Sequence, residues 1–97
     1  MNLNQENFDS FISSEERVIV DFHASWCGPC KAMTPLVEQL DDEFPNRVGK
    51  VDVDECPDVA ARFGIKSIPT VLVFQSGAMV ERKIGMLSKD LMAGLLS

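Results

Sequence analysis

An apolar run, a five-residue cysteine segment and a helical stripe follow one another closely: Val18 to Phe22, then Trp26-Cys27-Gly28-Pro29-Cys30, then Met33 to Phe44. The first run is broken only by Asp21, and a continuous run of that length reads as a strand buried on both faces. Met33, Leu36, Val37, Leu40 and Phe44 repeat at helical spacing, which predicts a helix to about Phe44 with Pro35 as a kink inside it. The cysteine pair therefore stands where a strand hands over to a helix. Two thiols separated by two residues at a helix start can close a small disulfide ring and open it again. Unpaired N–H groups and the positive end of the helix favour a thiolate there. An exposed Cys27 would then be a nucleophile toward disulfides of other proteins.

The rest of the chain alternates in the same manner. Phe8, Phe11 and Ile12 predict a short helix from Gln5 to Ser13. Val48, Val51 and Val53 suggest a less regular strand, and Pro57 is placed to start a short helix that Gly64 ends. Thr70 to Gln75 and Ala78 to Ile84 read as two strands joined by Ser76-Gly77 into a hairpin. Ser88 can cap a last helix carrying Leu91, Met92, Leu95 and Leu96. With a strand ahead of the first helix the order is β-α-β-α-β-α-β-β-α. That order predicts an α/β fold, a central mixed β-sheet flanked by helices, and one domain over residues 1–97.

Composition removes several function classes. Nine basic against fifteen acidic residues give a net charge of −6, which disfavours an electrostatic grip on nucleic acid or an anionic membrane. No segment approaches the ~20 apolar residues of a membrane span. Met1 to Asp9 has neither a basic region nor an apolar one, so no secretory signal is expected. The three cysteines make one pair and leave Cys56 over, too few for a disulfide scaffold. A reducing compartment follows as the expectation: the cytoplasm, or an organelle matrix after loss of a transit peptide.

The segment from Val20 to Lys31, Val-Asp-Phe-His-Ala-Ser-Trp-Cys-Gly-Pro-Cys-Lys, resembles the active-site signature of the thioredoxin family. Lys50-Val51-Asp52-Val53-Asp54, Gly64-Ile65-Lys66-Ser67-Ile68-Pro69-Thr70, Phe74 with Gly77, and Lys83-Ile84-Gly85 match in order, so the resemblance spans nearly the whole chain. It implies the thioredoxin fold and reduction of disulfides in protein substrates without a bound cofactor. It also implies a monomer recycled by a separate flavin- and NADPH-dependent thioredoxin reductase. Cys27, at the helix opening, would attack. Cys30, three residues on and on nearly the same face, would resolve the mixed disulfide. Gly28 would allow a tight approach and Pro29 would fix φ inside the ring; the family's reductants carry Gly-Pro here.

The same resemblance bears on residues beyond the pair. A carboxylate inside Val-Ile-Val-x-Phe is costly to bury. Asp21 is either a strand-end residue with its head in water or, as the resemblance implies, a buried group that moves a proton at Cys30. Lys50 aligns with a lysine near that carboxylate and would modulate the transfer, or else is an exposed strand lysine. Pro69 would be cis and face the disulfide, its neighbouring backbone pairing with an extended substrate. Trp26, Gly28, Pro29, Ile68, Ile84, Gly85 and Met86 would complete a shallow apolar surface around Cys27. Two positions depart from the signature. His23 stands where many members have an aromatic residue and reads as partly exposed packing or as a group that tunes the site. Cys56 reads as an inert buried thiol or as a handle for oxidation. The short N-terminus leaves the first strand only about Met1 to Leu3, frayed at its start.

Other readings share these residues. His23, Cys27, Cys30 and Cys56 add up to a Cys₃His set, but the pair sits at a strand-to-helix junction and the apolar stripes can build a core unaided. No metal is expected on that ground, a cluster bridging two chains being the remaining option. A thiol oxidase or isomerase on the same fold, and a docking module with an incidental redox pair, also fit the pattern.

Overall fold

In the computed structural model, which describes residues 1–97, the uninterrupted run forms β1 (Val18–His23), and every residue from Val18 to Phe22 is buried. Both of its faces are covered because β1 is central in a four-stranded sheet of order β2-β1-β3-β4. β2 (Val48–Asp52) lies parallel to β1, so the connection between them is a crossover, made by α2 (Gly28–Glu43). β3 (Thr70–Gln75) is antiparallel to β1 and forms the hairpin with β4 (Ala78–Ile84). Ser76 and Gly77 both have positive φ (52° and 83°), the type I′ pattern that matches strand twist in a two-residue hairpin loop.

Alternation along the strands sorts the core into two layers. Val18, Val20, Phe22, Leu72 and Phe74 pack with Phe8 and Ile12 of α1 (Phe8–Ile12) and Val59 of α3 (Pro57–Arg62). Ile19, Val48, Val71 and Val73 pack on the other side with Met33, Val37 and Leu40 of α2 and Met92 of α4 (Lys89–Leu95). Asp21 follows Ile19 by two positions and so shares the α2 face. It is the one charged residue in the core.

Three element boundaries differ from the sequence expectation. Met1 to Leu3 is not a full strand: it contributes a single parallel bridge, Asn2 to Lys50, with Leu3 N–H donating to the Lys50 carbonyl. That segment can lie on β2 because position 49 is glycine; a Cβ there would stand 2.6 Å from Leu3 Cδ1. The first helix starts at Phe8 rather than Gln5, because Asn4 Oδ1 accepts from the N–H groups of Glu6 and Asn7 and holds a turn. β2 stops at Asp52, whose Oδ1 accepts from the N–H groups of Asp54 and Glu55, although Val53 N–H still reaches the His23 carbonyl. Pro35 removes one helical donor, yet α2 continues through it to Glu43.

Candidate active site

Chain geometry at the end of β1 places the cysteines. Cys27 is the N-cap of α2, with extended backbone (φ −88°, ψ 113°), and Pro29 lies in the first turn where no intrahelical donor is needed. Cys30 N–H donates to Cys27 Sγ over 3.2 Å, so one orphan donor of the helix start points at the sulfur. The pair is joined as a disulfide, with its Cα atoms 5.2 Å apart. In the reduced state the same N–H and the helix dipole stabilise negative charge on Cys27. Cys30 lies further in, with no such position at the helix cap.

Cys27 is less open than the sequence reading expects. It is 5% exposed and Cys30 1%, because Ala24, Val53 and Ile68 pack around the pair. Cys27 Sγ also lies 3.9 Å from the Ile68 carbonyl oxygen. Cys27 remains the more exposed residue of the pair. The Ile68–Pro69 peptide bond is cis, and Pro69 is buried. Its carbonyl accepts from Gly85 N–H over 2.9 Å, and Thr70 pairs with Ile84 across the hairpin. Those contacts bring Ile68, Pro69, Ile84 and Gly85 to one end of the sheet beside the cysteines. Gly85 has φ +97°, a conformation L side chains rarely adopt. Gly28 is exposed and a Cβ there would meet nothing within 4 Å, so no contact inside the chain demands a glycine. Trp26, Ile84 and Met86 are exposed around this end, forming an apolar rim.

Trp26 does not hang free. Its Nε1–H donates to Asp54 Oδ2 over 2.8 Å, which ties the ring to the loop after β2. Asp54 was no candidate by sequence. It follows a strand within an acidic stretch, and nothing in its spacing distinguishes it from a solvated charge.

Asp21 is 1% exposed, and neither carboxyl oxygen has a hydrogen-bond partner. Burial pushes its pKa up to about 7, against the pull of the Lys50 ammonium, which favours the carboxylate. Asp21 and Lys50 are register partners on β1 and β2. Lys50 is nonetheless turned outward, its Nζ 3.5 Å from Glu38 Oε1 of α2. His23 faces Asp52 in the same register and is half-buried. Burial lowers its pKa, while the neighbouring Asp52 works in the opposite direction.

Cys56 belongs to the opposite core layer, among residues of α1 and α3, and its Sγ lies 3.8 Å from the Leu3 carbonyl oxygen. Burial raises its pKa, which disfavours the reactive thiolate. His23, Cys27, Cys30 and Cys56 do not converge, and no group of three or more His, Cys, Asp or Glu side chains is disposed to hold a metal ion. No helix is long and apolar enough to cross a membrane.

Comparison with known proteins agrees with this geometry. The family model described as Thioredoxin matches residues 1–97. A thioredoxin of Chlamydia muridarum is 45% identical over 96 residues, covering 98% of this chain and 93% of that protein. One from Chlorobaculum thiosulfatiphilum is 42% identical over 91 residues, covering 91% of this chain and 84% of its own. A solved mutant thioredoxin from Halobacterium salinarum superposes with a TM-score of 0.88 at 35% identity, covering 99% of this chain and 86% of that one. With its paired cysteines at disulfide distance, this thiol–disulfide oxidoreductase belongs to the thioredoxin family.

Proposed function

We propose that the protein works in the reducing direction on disulfides of other proteins. The position of Cys27 at the cap of α2, with the Cys30 N–H directed at its sulfur, supports exchange with Cys27 attacking. Gly28-Pro29 between the cysteines, the pair the family's reductants carry, supports the reducing direction. In the proposed cycle the Cys27 thiolate attacks one sulfur of a substrate disulfide, forming a mixed disulfide and releasing the other substrate sulfur as a thiolate that takes up a proton. Cys30 then loses its proton and attacks Cys27 Sγ. The second substrate thiol leaves reduced, and Cys27–Cys30 is left oxidised. Two electrons pass to the substrate, and a separate flavin- and NADPH-dependent thioredoxin reductase returns them.

Asp21 is assigned the proton at Cys30. A carboxyl with a pKa of about 7 can accept and return a proton near neutrality. Lys50 modulates that transfer from the neighbouring strand. Substrate recognition is assigned to Trp26, Gly28, Pro29, Ile68, Pro69, Ile84 and Gly85, with an extended substrate segment pairing beside Pro69. Such main-chain pairing makes few side-chain demands and suits many protein partners. The remaining assignments are one domain over residues 1–97, a monomer, and electron transport in the cytoplasm or an organelle matrix.

Cys30→Ser provides the test. Incubated with a cell extract, this variant should accumulate mixed disulfides between Cys27 and several proteins, visible on non-reducing gels and dissolved by dithiothreitol. Absence of any dithiothreitol-sensitive adduct, with Cys27 still alkylatable, would sink the exchange cycle.

A further inference from the structure

Lys50 stands among several carboxylates and is turned toward one at the surface. It stands opposite Asp21 in the β1–β2 register, yet both Asp21 oxygens lack a partner while the ammonium lies 3.5 Å from Glu38. The Lys50 side chain is 16% exposed and that of Glu38 63% exposed, so the pair points from the sheet toward solvent. A surface opening of about 220 Å³, lined by Val37, Glu38, Asp41 and Lys50 among others, gives the ammonium room to move. The other carboxylate of that opening, Asp41, is already engaged by the Met1 amino group. On the far side of Lys50 a second opening holds His23, Asp52 and Glu55, and Asp52 Oδ1 is occupied by two backbone N–H groups. Glu38 is thus the carboxylate that holds Lys50.

We propose that Glu38 is a positioning residue for the proton chemistry at Asp21, keeping the Lys50 ammonium in the solvent-facing opening and away from the buried carboxyl. The inference rests on the reading of Asp21 as the proton carrier. An ammonium acts far more strongly on a charge in the poorly screened interior than on one at a wet surface. Moving Lys50 inward would stabilise the Asp21 carboxylate and make the group a poorer proton acceptor near neutrality. Glu38, on α2 just beyond the core residue Val37, offers the competing charge that prevents this. His23, Asp52 and Glu55 frame Lys50 from its other side and set the background against which Glu38 acts.

The test follows Asp21 directly by ¹³C-carboxyl NMR in the oxidised protein, across pH, in wild type, Glu38→Gln, Lys50→Met and the double variant. Glu38 is exposed and glutamine is isosteric, so the fold is retained. Glu38→Gln should lower the Asp21 midpoint by roughly half a pH unit, the size expected from losing one surface ion pair. Lys50→Met should raise it, and the double variant should match Lys50→Met alone. An unchanged midpoint in Glu38→Gln overturns the proposal. So does an equal downward shift in the Lys50→Met background, which would mean that Glu38 acts through space rather than through Lys50. The pH profile for release of substrate from its mixed disulfide separates the two readings. If the Asp21 midpoint moves and the profile does not, the positioning of Lys50 stands and the assignment of Asp21 as proton carrier falls.

Discussion

Cys27→Ser should abolish catalysed protein-disulfide reduction, with turnover falling on the order of 10⁴-fold or more, as for loss of a nucleophile elsewhere. A serine hydroxyl at the cap of α2 still accepts the helix N–H groups, so the fold has no reason to suffer. What it lacks is an accessible anion near neutral pH and any means of forming a disulfide with substrate. Cys30→Ser keeps the attacking sulfur, so it should react once and stop at the mixed disulfide. The two variants therefore fail differently: one never engages substrate covalently, the other never lets go. Stopped-flow mixing of each pre-reduced variant with a small protein disulfide, with no other thiol present, resolves them. If Cys27→Ser kept a covalent burst and Cys30→Ser lost it, the two roles would have to be exchanged.

Asp21→Asn should stabilise the oxidised protein at pH 8 and do so progressively less as the solution is acidified. The cause is burial, which raises the Asp21 pKa from 3.8 to about 7. Below about pH 4 the carboxyl is neutral in both folded and unfolded chains, and it contributes no difference. Between that pH and about 7 the unfolded chain releases the proton while the folded one retains it. Native stability therefore falls as pH rises through this window, and above it the full penalty is present. A displacement of that size corresponds to about 4 kcal/mol. Asparagine cannot ionise, so the stability difference between variant and wild type should widen by about that amount from pH 4 to pH 8. Denaturant unfolding at several pH values measures it. A difference that stayed flat with pH would mean that Asp21 titrates like an exposed aspartate. The same variant should resolve mixed disulfides about 10²-fold more slowly near neutral pH, the usual scale for a lost general base.

Much of the scaffold was legible because its signals are local and redundant. β1 announces itself by a run with no polar alternation, and α2 by an apolar stripe beginning just after the cysteines. Asp21 stood out for the opposite reason, being the residue whose placement in that run carries an energetic cost. Boundaries set by single side chains were harder to read. Asp52 ends β2 by capturing two N–H groups, and Asn4 delays α1 in the same way, neither of which leaves a periodic trace. The cis bond at Pro69 came from the family resemblance, since proline alone does not specify its isomer. Contacts between distant segments were out of reach altogether. The hydrogen bond from Trp26 to Asp54 and the pairing of Lys50 with Glu38 depend on how loops and helices settle around the sheet. The low exposure of Cys27 belongs with these, because two of the three residues that shield it, Val53 and Ile68, lie on segments far along the chain.

The reduction potential of the Cys27–Cys30 couple tests the reductant reading most directly. Trp26 adjoins the pair and is the only tryptophan, so its fluorescence reports the couple across a series of thiol–disulfide buffers. The account predicts a single two-electron transition near −270 mV. A value more than ~100 mV higher, toward the −120 mV of strongly oxidising relatives, would contradict it and make the protein a source of disulfides rather than a sink.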